Sequence, residues 1–533
     1  MPGILDDYLL LFWVALSILA TGIALCRRFT PLQGIELIGY GAGAGVIVYG
    51  LFGLLIALNW HFRHYVGILA ICCFAGAVAY LIKRRIWREL AETLSRPLWL
   101  VLALWLLFLV FCVALPRIDV AWPATLPDGQ YVFKKHTLNV KIQYLTGLPA
   151  DNDIPHVVTE FFLRKISFKK EHPILPNNEV SNRTILMSLV ALPFRAVLGW
   201  NRQAEGELGT YGYLGREWPA VEKLNGEKSL HQFFVIGLFL NSLMLLGLVV
   251  LFSNFELAQS LPFAALLYIT NTYFVGQTIF TWPKAMAGFF ILLCWNSLRR
   301  NHDAWIVAAL VAAAYHCHPV SLAMAGGVGL YYAIRWWRTK GSFKPLLIFA
   351  AVFLLILLPW LIWTRLVLQL PDNLLAQNMT REGAPNLITA PVDFIWVRFF
   401  NIVTNLFPVS LIVYPFDLDR VIFYATYAAP TAIGLFLFIP AFLECVQRWN
   451  RDRTFLLYGL LLPALAIVLV FSIPAQPVLY GWQPVAGALL FLGVLRLRRD
   501  FSPFASWSLI LAQLICNLTV FALRGYLVGA RLG

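Results

Sequence analysis

Residues 97–115 read PLWLVLALWLLFLVFCVAL, and residues 116–136 read PRIDVAWPATLPDGQYVFKKH. The first stretch carries no charge and has the length that one membrane crossing requires. The second is polar and mixes acids with bases. A membrane helix that empties into a wet segment is therefore the unit from which the chain is read.

The composition agrees with that unit. Of 533 residues, 60% are hydrophobic and 13% are charged, about half the charged share usual in soluble domains. Mean hydropathy is +0.73. A soluble enzyme, a disordered chain and a disulfide-stapled module are all excluded. The net charge of +14 fits basic loops that hold topology better than it fits nucleic-acid binding. The eight cysteines have no metal-type spacing and mostly sit in apolar runs, so they read as packing residues. The start, MPGILDDY, is acidic, which predicts that the first apolar run is retained as a helix.

Apolar runs occur at 8–26, 35–58, 65–82, 97–115, 231–253, 261–280, 281–298, 304–319, 320–337, 344–364, 420–445, 454–474, 478–496 and 505–525. Only helices satisfy their backbone in lipid at these lengths. The expectation is an all-α polytopic membrane protein with about 14 transmembrane helices. Basic residues follow alternate runs: Arg27 and Arg28; Lys83 to Arg96; Arg299 and Arg300; Arg335 to Lys344; Arg448 to Arg453; Arg496 to Arg499. With simple alternation they share one side, the cytoplasm, and both termini lie outside.

Two long segments then fall outside: 116–230, between the fourth and fifth helices, and 366–419. Short amphipathic helices are expected at 155–167 and 183–199, and an interfacial helix at 393–415. The organisation is three helices in 1–96, a membrane core over 97–365 that includes the loop 116–230, the second loop over 366–419, and C-terminal helices over 420–533.

Acids are scarce in the chain, yet Asp119, Asp128, Asp151, Asp153 and Glu160 crowd the first long loop, with Lys134, Lys135, His136 and Lys141 among them. A helix leading outward, a large first loop and a short acidic motif resemble the membrane glycosyltransferases of the GT-C superfamily, in the group that includes lipid A aminoarabinose transferase and protein O-mannosyltransferases. The matching residues are Trp122 and Pro127-Asp128-Gly129-Gln130-Tyr131, with Gly129 where the group has a second acid. His172-Pro173 or Asn182-Arg183 fills the group's next position. Later, VLYGWQPVAGALLF (478–491) is similar to the group's Arg-Tyr-x-x-Pro segment through Tyr480 and Pro484, with Leu479 in place of Arg. The similarity runs from about 97 to 500, and the three helices before it are additional to the group's plan.

The resemblance implies a glycosyltransferase with a polyprenyl-phosphate sugar donor and a glycan, lipid or protein acceptor, acting in a bacterial inner membrane with its site facing the periplasm. Outside the cytoplasm a lipid, rather than a nucleotide, carries the sugar. Transfer needs a carboxylate to accept the hydroxyl proton, cations for the phosphate leaving group and a groove for the prenyl chain. Motif likeness favours Asp128 as the base, proximity to the helix end favours Asp119, and the Asp151-Asn152-Asp153 cluster is a third choice. That cluster could instead supply oxygen ligands to a divalent cation; no other cofactor is indicated. Lys284, after Trp282-Pro283, is an ionisable group at membrane depth and a candidate for the lipid phosphate. His316, His318, Arg183, Arg381, Arg398 and Arg524 are further candidates, with Lys134, Asp151, Asp153 and His172 as binding residues. Tyr131, Trp122, Trp482 and Tyr480 could contact sugar.

Two rival readings share the architecture. A surface-polysaccharide polymerase or ligase would lean on outer arginines. A lipid-linked-sugar flippase would carry paired broken helices. No P-loop, GxSxG or HExxH motif is present.

Overall fold

The computed structural model describes residues 4–115, 117–119, 141–143, 154–166, 168, 184–198, 210–213, 216–219, 227–255, 258–280, 282–369, 390–406, 433–470 and 481–530. They form helices α1 (Ile4–Phe29), α2 (Gly34–Leu58), α3 (Arg63–Lys83), α4 (Ile86–Thr93), α5 (Arg96–Ala114), α6 (Ile154–Arg164), α7 (Leu186–Val197) and α8 (Glu227–Phe252). Then come α9 (Leu261–Thr270), α10 (Thr272–Ile279), α11 (Lys284–Arg299), α12 (Ala304–Cys317), α13 (Leu322–Thr339) and α14 (Lys344–Ile362). The last are α15 (Pro391–Leu406), α16 (Phe438–Thr454), α17 (Leu462–Val470), α18 (Gln483–Asp500) and α19 (Pro503–Ala530). Among the described residues, two short antiparallel strand pairs depart from an all-α plan. They are Arg117–Asp119 with Lys141–Gln143 and Thr210–Tyr213 with Arg216–Pro219, both between α5 and α8.

Several helices open on a proline in their first turn, as in α5, α9, α14 and α18. There the missing N–H has no intrahelical partner to lose. Among the described residues, eight helices are long and apolar enough to cross a membrane, or nine if the bent pair α10–α11 is one crossing. The chain is a multi-pass membrane protein. Large apolar side chains on the outer faces of α3, α5, α14 and α19, such as Tyr65, Leu107, Leu355 and Phe504, are exposed, as lipid contact requires.

The expected spans and the helices differ in places. The run 261–280 is two helices parted at Asn271, and 304–319 is a helix of 14 residues. The run 420–445 is described from residue 433 onward, where α16 is amphipathic and packs along α18. The helix of Phe438–Val470 kinks at Asp452 (φ −112°, ψ 26°). Hydropathy registers apolar length and misses such interruptions. The amphipathic stretches expected at 155–167 and 183–199 are α6 and α7, and the interfacial stretch begins as α15.

Helix α8 lies at the centre, with its apolar stretch wholly buried, against α1, α5, α7 and α11. Around it the backbones approach closely. A Cβ at Gly45 of α2 would lie 2.0 Å from the carbonyl oxygen of Ile18 in α1. Small residues allow such contact in membranes, where water does not drive helices together.

The basic helix ends are tied to one another. Arg27 bonds Glu89 (3.0 Å), Arg300 bonds Glu36 (3.0 Å), Arg299 bonds Asp452 (3.1 Å) and Arg499 bonds Glu444 (2.6 Å). These contacts gather α1, α2, α4, α11, α16 and α18 at one basic end of the bundle. None of the eight cysteines is in a disulfide, and Cys112, Cys294 and Cys317 are buried.

Candidate functional site

Between α10 and α11 the chain turns through 107°. A broken helix in apolar surroundings leaves carbonyls and amides without partners, which is costly away from water. Asn241, fully buried in the middle of α8, supplies those partners. Its Nδ2 donates to the carbonyls of Phe280 (2.7 Å) and Trp282 (3.3 Å), and its Oδ1 accepts from the Met286 amide (3.2 Å). One amide side chain therefore holds both sides of the break.

The break presents Lys284. Its ammonium lies 4.4 Å from the centre of the Trp282 ring and 5.2 Å from that of Phe280, and the residue is only 6% exposed. Facing aromatic rings attract a cation where hydration is lost. The ring of His318 packs against the same indole, 5.7 Å away. His318 ends α12, and its Nδ1 accepts from the Val320 amide (3.3 Å), which caps a short helical turn and assigns the N–H of a neutral ring to Nε2. The start of α18 closes in beside them. A Cβ on Gly481 would lie 2.6 Å from Val320 Cγ2. Gln483 donates to Gln277 of α10 (3.1 Å), and the Trp482 indole donates to the Ala464 carbonyl (3.1 Å). Residues 282–284, 318–320 and 481–484, remote in sequence, meet at one place.

An apolar cavity of about 470 Å³ lies next to α12, lined by α2, α6, α7, α12 and α14. Leu54, Leu189, Ala313, Trp360 and Phe162 line it, together with His316. His316 Nε2 donates to the Ile356 carbonyl (3.0 Å). The end of α12 thus separates the two features: His316 lies in the cavity wall, and His318, two residues on, lies against Trp282.

Arg398 of α15 is 4% exposed. Its Nε donates to the Leu469 carbonyl (3.3 Å), and its guanidinium covers Phe394 (3.9 Å). Both Nη groups are buried without a hydrogen-bond partner among the described residues, an arrangement that native structures rarely leave unanswered.

Glu160, one of the acids in the crowded segment, has a different role. Its carboxylate is buried between Arg195 of α7 (2.5 Å) and Arg164 (2.8 Å), with His156 at 3.5 Å. Burial alone would raise its pKa. The Arg195 guanidinium, with His156 and Arg164, overcomes that and holds it down to about 2. A carboxylate bound in this way is a strut between α6 and α7 and a poor proton acceptor.

Of the expected site residues, Lys284 and His318 are brought together. Asp119 is in the first strand, its Cα paired in register with that of Lys141. Asp128, Tyr131, Lys134, Asp151, Asp153, His172, Arg183, Arg381 and Tyr480 lie outside the described residues. Trp482 is buried behind its bond to Ala464, so it is a wall residue rather than a sugar platform. Asn241, Gln277 and Gln483 were not singled out by the sequence reading. The available signal was a polar residue inside an apolar run.

No family model and no curated protein matches the chain.

Proposed function

We propose that the chain is a membrane glycosyltransferase that takes its sugar from a polyprenyl-phosphate-linked donor and passes it to a glycan, lipid or protein. The reaction would run at the end of the bundle away from the basic loops, on the periplasmic side of a bacterial inner membrane. The supporting observation is the placement of His316 and His318, which joins an apolar cavity to a buried cluster holding Lys284. A donor of this class has the same two halves, a long apolar tail and an anionic head.

In this reading the prenyl tail occupies the apolar cavity. Lys284 and Arg398 face the phosphate, where their charge counts most as the leaving group gains its own. The acceptor oxygen attacks the anomeric carbon, the bond from that carbon to the phosphate oxygen breaks, and polyprenyl phosphate leaves with the electron pair. The acceptor proton passes to a carboxylate of segment 116–230, Asp128 first and Asp119 second. The test is sugar transfer from a lipid-linked donor by the purified chain. Asp128→Asn and Asp119→Asn should divide into one variant that loses transfer and one that keeps it. Full activity in both removes Asp128 and Asp119 as the base and leaves the Asp151-Asn152-Asp153 cluster as the choice in this segment.

One observation favours a second reading. The 107° break between α10 and α11 is the kind of interrupted helix that transporters use to form midplane sites. Movement of a lipid-linked sugar across a vesicle bilayer, without any new glycosidic bond, would replace the enzyme by a flippase.

A further inference from the structure

Residues 335–345, at the turn between α13 and α14, are all exposed. They read RWWRTKGSFKP and hold four cations, Arg335, Arg338, Lys340 and Lys344. The chain has no Asp or Glu between Asp303 and Asp372. Three rings also face outward here: Trp337 is 75% exposed, Trp336 42% and Phe343 39%. Trp337 is the most exposed tryptophan among the described residues. Charge alone is enough to set topology. The indoles beside it add an amphipathic surface suited to the boundary between water and lipid.

The turn has a fixed shape. Lys340 caps α13 in the left-handed region (φ 46°). Thr339 Oγ1 donates to the Arg335 carbonyl (2.8 Å) and accepts from the Gly341 amide (3.3 Å). Ser342 Oγ accepts from the Lys344 amide (3.1 Å), and the rings of Trp336 and Phe343 meet at 5.0 Å, edge to face.

These cations differ from those at neighbouring helix ends, where Arg299, Arg448 and Arg499 bond carboxylates. Among the described residues, Arg338, Lys340 and Lys344 are in no ion pair, and Arg335 bonds the Tyr331 hydroxyl (3.1 Å). Asp303, exposed ahead of α12, bonds none of them. Asp452, Glu444 and Asp500 are each taken by arginines of other helix ends. Glu256 lies outside the described residues.

We propose that this turn docks on the anionic headgroups of the surrounding leaflet. Lys344 opens α14, and the stretch Lys344–Val367 is long and apolar enough to cross a membrane. The turn therefore stands at the membrane boundary. There an indole settles among headgroups, and each exposed cation gains from an anionic surface. A soluble phosphate would meet the cations and leave the indoles in water, so the lipid surface fits both halves of the turn. The surface is separate from Lys284 and does not depend on the reaction proposed there.

The test uses the full chain in nanodiscs, with amide hydrogen exchange over residues 336–346 as the readout. Discs of phosphatidylcholine alone are compared with discs in which phosphatidylglycerol replaces part of the lipid. Exchange in this window should be roughly tenfold slower with phosphatidylglycerol, and added potassium chloride should remove much of the difference. The combined variant Arg338→Gln, Lys340→Gln, Lys344→Gln should exchange alike in both discs, and Trp337→Ala should keep a smaller response. If the triple variant does not fold, Arg338→Gln alone carries the comparison, with a partial loss expected. The proposal is overturned if phosphatidylglycerol leaves the wild-type window unchanged, or if the variants are slowed as much as the wild type. Slowing by soluble polyglutamate in discs that show no lipid effect would also overturn it, and would make the partner an acidic protein.

Discussion

Lys284 and His318 rest against the same indole, that of Trp282, at 4.4 and 5.7 Å from its ring. One begins a helix at the break and the other follows α12, so the indole is shared by two turns remote in sequence. In the proposed reaction the Lys284 charge acts on the phosphate. Lys284→Met should lower sugar transfer by about 10²–10³-fold, and Lys284→Arg should recover much of it. A turnover assay with lipid-linked donor, run on protein whose melting is unchanged, reads the difference. Wild-type turnover in the Met variant would remove Lys284 from the chemistry.

The Glu160–Arg195 pair makes a prediction about stability and acidity. Glu160→Gln leaves Arg195 buried opposite a neutral group, which should cost about 3–5 kcal/mol. The wild-type carboxyl is held at about 2 against an ordinary 4.5. Because the folded value is the lower one, its stabilising contribution is complete above pH 4.5 and is lost as pH falls towards 2. Melting temperature measured from pH 6 to pH 3 should therefore fall more steeply in the wild type than in Glu160→Gln. Parallel curves would contradict the assignment.

Asn241 holds the break, so its removal should be felt there. Asn241→Leu leaves the Phe280 carbonyl and the Met286 amide without their Asn241 partner in a buried setting, while the Trp282 carbonyl keeps the Lys284 amide as donor. A loss of roughly 2–4 kcal/mol is expected. Increased hydrogen exchange confined to residues 278–286 would locate the effect, and exchange identical to the wild type would refute it.

Close packing of α1 on α2 is tested by one methyl group. Gly45→Ala places a Cβ against the Ile18 carbonyl and should cost about 1–3 kcal/mol. Gly76→Ala is the control, because nothing lies within 4 Å of its added carbon. Equal melting of the two variants would show that the helices are not in contact there.

Much of this architecture is legible in the sequence for a simple physical reason. Lipid demands long apolar helices, and a hydropathy pattern registers that demand directly in α1, α2, α3, α5, α8 and α14. The interruptions are not legible in the same way. Asn271 parts α9 from α10, and the break before Lys284 depends on Asn241 from another helix. Lys284 and His318 could be picked out because charge and imidazole are rare among apolar neighbours. Glu160 also stood out as an acid, but its fate rests on Arg195, which no spacing rule connects to it. The motif acids Asp128, Asp151 and Asp153 lie beyond the described residues, so the choice between Asp128 and Asp119 rests on sequence and on the two variants proposed above.

The bond from Arg300 to Glu36 spans 264 positions of chain, and that separation sets a timetable for biogenesis. At ribosomal speeds of about 5–20 residues per second, roughly 10–50 s pass between the emergence of the two residues. During that interval the second helix waits in the bilayer with an acidic side chain near its end and no guanidinium to meet it. The second helix therefore completes its polar contacts only when the eleventh helix arrives.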